Sequence, residues 1–149
     1  MSRVNYFKAQ AKKLFKDYKT RASYTDEVDG RTSYSYSPTY FDIDRIFLEF
    51  DWDEESFTLM KAQHAFALLV GYRKWGDLVA ASDAELELAK QLWEHQDKIY
   101  LLDWQDYIAR LEVENDLSLD ADAKLDIFIQ VFVERDGHSS PFGDYRLRS

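Results

Sequence analysis

Apolar residues spaced at three and four, closed by recognisable helix caps, recur through most of this chain, and that pattern admits little besides α-helix. Val4, Phe7, Ala11, Leu14, Phe15 and Tyr18 form a stripe about 100° wide at 100° per residue, so Asn5 to Thr20 reads as an amphipathic helix. Asp42 is a candidate N-cap for a short helix carrying Ile43, Ile46, Phe47 and Phe50. Thr58 to Val70 is a second strong helix, with Gly71 at the position where glycine ends helices in a left-handed turn. A short helix from Arg73 to Ala81 follows. Ser82 with Glu85 makes a capping box opening a helix from Asp83 to about Gln96, with Leu86, Ala89, Leu92 and Trp93 inside. Leu101, Trp104, Tyr107, Ile108 and Leu111 mark the next helix. Asp120 to Arg135 is the last, apolar almost all round and therefore central. The expected fold is all-α: a compact bundle of six or seven helices, one domain over residues 1–137, with 138–149 as a flexible C-terminal tail.

Residues 22–40 break the pattern. They are rich in Ser, Thr, Tyr and Asp, contain Gly30 and Pro38, and lack a helical period. They read as a long Tyr-rich loop, in which the alternating Ser33-Tyr34-Ser35-Tyr36-Ser37 can pair as a short edge strand. Such a loop either drapes over the core or presents an aromatic contact surface, because tyrosine offers large contact area at low entropy cost.

Composition excludes whole classes. At 149 residues, 46% hydrophobic and 16% aromatic, the chain is neither a disordered acidic tail nor a low-complexity sequence. It has no Cys, which removes disulfides, thiolate zinc sites and cysteine nucleophiles. The longest apolar run, Ala65 to Gly71, falls far short of the roughly 18 residues of a membrane span. The N-terminus shows no apolar signal core, so a cytoplasmic protein is expected.

Charge is distributed unevenly over the net of −9. Residues 1–21 hold seven basic residues against Asp17 alone, a net of +6, which leaves −15 on the other 128. The basic stripe of Lys8, Lys12, Lys16 and Lys19 either serves an anionic partner or docks on the acidic body of its own chain.

Catalytic signatures are sparse. Asp51, Asp53 and Glu55 begin like a calcium loop, but Ser56 and Ala62 stand where glycine and glutamate are needed; Asp116, Ser118 and Asp120 fail in the same way. Both read as solvated turns. His64, His95 and His138 are too widely spaced for a helical metal pair. His64 reads as a hydrogen-bonded core histidine and His95 as a partner of a helix C-terminus. No nucleophile elbow, phosphate loop or dinucleotide fingerprint occurs.

One stretch carries a resemblance. Ala62-x-His64-x-x-Ala67-x-Leu69-x-Gly71-Tyr72-x-x-Trp75-x-x-Leu78 resembles a small helical motif of bacterial proteins. The same motif occurs in the extra helical segment attached to some glyoxalase-superfamily proteins. It runs as a helix ending in Gly-aromatic-x-x-Trp-x-x-Leu, often with Ser where Gln63 stands here. The resemblance implies a helix–turn–helix corner over residues 62–78. It does not imply glyoxalase activity, because the metal-binding βαβββ units of that superfamily are not visible.

These observations lead to the expectation of a non-catalytic, acidic interaction protein that binds and controls a macromolecular partner, as an antitoxin, immunity protein or inhibitor does. The expected partner is a basic protein, contacted through Tyr24, Tyr34, Tyr36, Asp51, Asp53, Glu54 and Glu55. The alternative is a nucleic-acid-linked regulator using Arg3, Lys8, Lys12, Lys13, Lys16 and Lys19. A third is an enzyme with a site assembled near His64. No cofactor, metal or membrane partner is expected.

Overall fold

The computed structural model describes residues 3–50, 52–142 and 144–147. It is mainly helical, with seven α-helices and one two-stranded sheet among the described residues. The chain divides into two compact units, Asn5–Phe66 with Tyr145–Ser149, and Met1–Val4 with Ala67–Asp144.

The first unit is built on α1 (Val4–Tyr18), which buries Phe7, Ala11, Leu14, Asp17 and Tyr18. A hairpin of β1 (Ala22–Thr25) and β2 (Thr32–Ser35) follows, then α2 (Ile43–Phe50), which buries Ile43, Ile46 and Phe47. The helix α3 (Leu59–Leu69) begins in this unit. Aromatic rings dominate the core: Tyr18 and Phe47 both pack on Phe57, at 4.9 and 5.0 Å between centroids, and Phe7 and Phe41 both pack on Phe66. The C-terminal strand-like segment closes it, with a bridge between Phe41 and Arg146 and a buried Tyr145.

The second unit contains the end of α3, α4 (Trp75–Val79), α5 (Asp83–Glu94), α6 (Leu101–Glu114) and α7 (Ala121–Phe128). The capping box expected from sequence is in place, Ser82 Oγ accepting the Glu85 N–H, and Asp120 Oδ1 caps the last helix by accepting the Ala123 N–H at 2.8 Å. Gly71, at φ +96°, closes α3 with Tyr72 N–H bonded to Ala67 O and Gly71 N–H bonded to Leu68 O. Asp116, at φ +49°, takes the equivalent position after α6, so this would-be calcium residue ends a helix. The core is Leu92, Trp104, Ile108, Phe128 and Phe132.

Two elements differ from the sequence reading. Residues 22–40 are not wholly loop. Ala22–Thr25 pairs antiparallel with Thr32–Ser35, Tyr24 opposite Ser33 and Ser23 opposite Tyr34. The turn is held by Asp26, whose N–H bonds to Arg31 O and whose Oδ1 accepts the Val28 N–H, with Gly30 at φ +70°. The last helix is also not a continuous α-helix. It widens into a π-helical turn over Ile129–Val133, burying Phe132, and the added residue per turn shifts which side chains face inward.

His138, Ser140 and Phe142 make anchoring contacts where the sequence shows no periodicity. The His138 ring lies 4.7 Å from Phe132, Phe142 packs on Tyr100 at 4.6 Å, and the Ser140 N–H bonds to Asp97 O.

Candidate interaction surface

The tyrosine-rich hairpin and the acidic connection, read separately in sequence, meet in the first unit. Tyr34 Oη donates to Glu55 Oε1 at 3.1 Å and Tyr36 Oη donates to Glu54 Oε1 at 2.8 Å. The Tyr36 ring stacks on Phe47 at 5.8 Å with an interplanar angle of 5°. The Glu54 carbonyl accepts the Tyr18 hydroxyl at 2.6 Å and a guanidinium N–H of Arg21. Arg21 lies over both the Tyr34 ring, at 4.6 Å, and the Tyr18 ring, at 5.3 Å. Asp53 caps the turn before α3, its Oδ1 accepting the Glu55 N–H. Asp51 lies outside the described residues.

Burial, with the hydrogen bond to and the charge of Glu54, pushes the Tyr36 phenol far above its ordinary value. Desolvation and Glu55 act in the same direction on Tyr34, opposed by Arg21. These two hydroxyls are therefore committed as donors to the chain's own carboxylates. What remains outward is different: Tyr24 is 57% exposed, and Val28 at the hairpin tip is 96% exposed among Asp26, Glu27 and Asp29.

The basic residues do not act as one group. Arg3 pairs with Glu87 and approaches Asp83 at 3.9 Å within the second unit. Lys13 lies over the Tyr40 ring at 5.2 Å and Lys19 over Phe15 at 4.5 Å. Lys8, Lys12 and Lys16 are exposed along one side of α1 and form no ion pair among the described residues.

His64 is half-buried and makes no hydrogen bond among the described residues, contrary to the expectation of a hydrogen-bonded core histidine. Its ring instead meets Trp52 edge to face at 5.6 Å, an aromatic contact that needs no polar partner. His95 does sit at a helix end, its Nδ1 3.0 Å from Gln91 O. Among the described residues no three His, Asp or Glu side chains converge as a metal site, and no helix is long and apolar enough to cross a membrane.

Sequence reasoning missed two residues that organise this surface. Asp17, only 2% exposed, accepts the backbone N–H groups of Thr39, Tyr40 and Phe41 at 2.7–2.9 Å, which fixes the return from the hairpin into α2. The available signal was a lone acid between Leu14 and Tyr18 on the apolar flank of a basic helix. Arg21, whose contacts bridge Tyr18, Tyr34 and Glu54, had no signal beyond its charge. Compared with known protein families, curated proteins and solved structures, the chain matches none.

Proposed function

We propose that the protein is a non-catalytic, acidic interaction protein that binds and controls a macromolecular partner, of the antitoxin, immunity or inhibitor type. The β1–β2 hairpin and the adjoining 53–55 connection form the contacting surface. The observation that supports this is the contrast within the hairpin. Its base is anchored by Tyr34, Tyr36 and Arg21, while Tyr24 and Val28 stand exposed beside three carboxylates at the tip. A pre-ordered arm spends less entropy on binding than a mobile loop. Its acidic rim draws a basic protein and sets orientation. A two-stranded hairpin also leaves both edges open to further strand pairing.

The test is recovery of the partner with tagged protein from the native host, followed by titration at rising ionic strength. A single basic protein bound near one to one, released by salt and lost with Tyr24→Ala combined with Val28→Asp, is the expected result. An affinity indifferent to salt and to those substitutions refutes it.

A second reading rests on Lys8, Lys12 and Lys16, which are solvent-exposed without ion pairs among the described residues. It makes the protein a nucleic-acid-linked regulator. Lys12→Glu with Lys16→Glu then abolishes binding of DNA or RNA with the fold unchanged, and unaltered binding rejects it.

A further inference from the structure

The second unit contains a cleft of about 320 Å³, bounded by the end of α3, by α5 and α6, and by Lys124 of α7. That volume lies at the lower end of the range for small-molecule sites. Its inner wall is apolar: Leu92, Trp104 and Ile108 belong to the buried core, with Leu88 and Leu101 packed against them. The glycine that ends α3 also shapes it. A Cβ at Gly71 would lie 3.3 Å from Gln105 Nε2 and 3.6 Å from Leu101, both of which line the cleft.

The polar groups at its margin are Tyr72, Glu85, Gln105, Glu112 and Lys124. Several have capacity left over. The Tyr72 hydroxyl has no hydrogen-bond partner among the described residues, and Lys124 Nζ forms no ion pair there. Glu112 commits Oε2 to the Leu119 N–H, and Glu85 commits Oε1 to Ser82 Oγ, leaving the second oxygen of each carboxylate. Two carboxylates against one ammonium give the margin a net negative charge over an apolar wall.

We propose that this cleft is a binding site for a small amphipathic amine, whose apolar body lies against Leu88, Trp104 and Ile108 and whose ammonium group is held by Glu85 and Glu112. The complementarity follows from the two surfaces together. An anionic ligand meets two carboxylates, and a purely apolar one leaves them without a charge partner at the mouth of the cleft. Tyr72 supplies a hydroxyl able to accept an ammonium hydrogen. This site is independent of the hairpin surface and of the macromolecular partner proposed for it.

Three probes of the same shape and different charge test this on the full chain: naphthylmethylamine, naphthylmethanol and naphthoate. Calorimetry gives their affinities, and heteronuclear NMR shift changes locate them. The amine is expected to bind tightest, with shifts confined to the cleft lining: residues 70–72, α5, α6 and Lys124. Glu85→Gln combined with Glu112→Gln weakens the amine by about tenfold or more and leaves the alcohol unchanged. The glutamine at 85 preserves the capping box, so the fold is retained. Ala109→Trp, at an exposed position on the cleft wall, blocks all three probes. Equal binding of amine, alcohol and naphthoate overturns the proposal. So does failure of all three to bind, or binding that survives Ala109→Trp in a folded protein.

Discussion

The carboxylate of Asp17 accepts the backbone N–H of Phe41 at 2.7 Å across 24 residues of chain. It takes the N–H groups of Thr39 and Tyr40 as well, so one buried acid satisfies three consecutive backbone donors. Such charge-assisted bonds are about twice as strong as neutral ones. They explain why a carboxylate survives in an otherwise apolar helix flank: it completes the hydrogen bonding of a loop whose other backbone partners lie in the segment around Tyr145 and Arg146.

Asp17→Asn keeps the shape and removes the charge, and it turns an amide NH₂ toward backbone donors. A loss of about 3 kcal/mol in chemical denaturation is expected. A loss below about 0.5 kcal/mol, typical of surface positions, contradicts the role assigned to the carboxylate.

Glu49 gives the first unit an acid-side dependence. Burial alone raises its pKa, but bonds from Tyr145 Oη at 2.5 Å and Arg45 Nε at 2.8 Å outweigh this and hold it below the usual 4.5. Its contribution is present above that value and is lost as pH falls through the lower folded-state pKa. Tyr145→Phe, which keeps the ring 4.2 Å from the Arg45 guanidinium, is expected to make the acid limb of the stability–pH curve shallower. An unchanged acid limb removes Glu49 from the account.

Alkaline behaviour has the opposite sign. Burial and the nearby charge of Glu85 push the Tyr72 phenol up from 10.0 to about 12. Stability from this group is complete below the unfolded value and falls as pH rises through the folded one, so the window is roughly pH 10–12. Tyr72→Phe reduces the loss in that window, as followed by circular dichroism during base titration. Identical curves for both proteins refute the assignment.

Glycine substitutions separate two left-handed turns. At Gly71 the φ of +96° lies beyond the region other residues reach readily, and a Cβ meets Gln105 and Leu101. Gly71→Ala is expected to cost about 1 kcal/mol or more. At Gly30 the φ of +70° is close to the left-handed well and nothing lies within 4 Å, so Gly30→Asn is nearly neutral. Thermal melts of both variants decide, and equal losses remove the distinction.

The helices were legible in sequence because their signals are local. Ser82 and Glu85 are three residues apart, Gly71 directly follows the apolar period, and each cap acts within one turn. The candidate surface was legible only as two lists. Tyr36 and Glu54 are 18 residues apart and Tyr34 and Glu55 are 21, and nothing local pairs them. The strand at Ala22–Thr25 lacks alternation because every one of its residues is exposed, so there is no inward face to mark. The π-helical turn at Ile129–Val133 accounts for a segment that looked apolar all round, since a changed pitch smears a stripe read at the α-helical period.

Two strands alone are marginal in water, so the hairpin borrows its order from outside itself, through Tyr34 and Tyr36 to a connection of three acids. Those acids are thus a remote adjustment for the arm. An arriving cation that draws the Glu54 carboxylate away takes the acceptor from Tyr36, the residue that directly follows β2, so the order of the arm depends on acids outside its two strands.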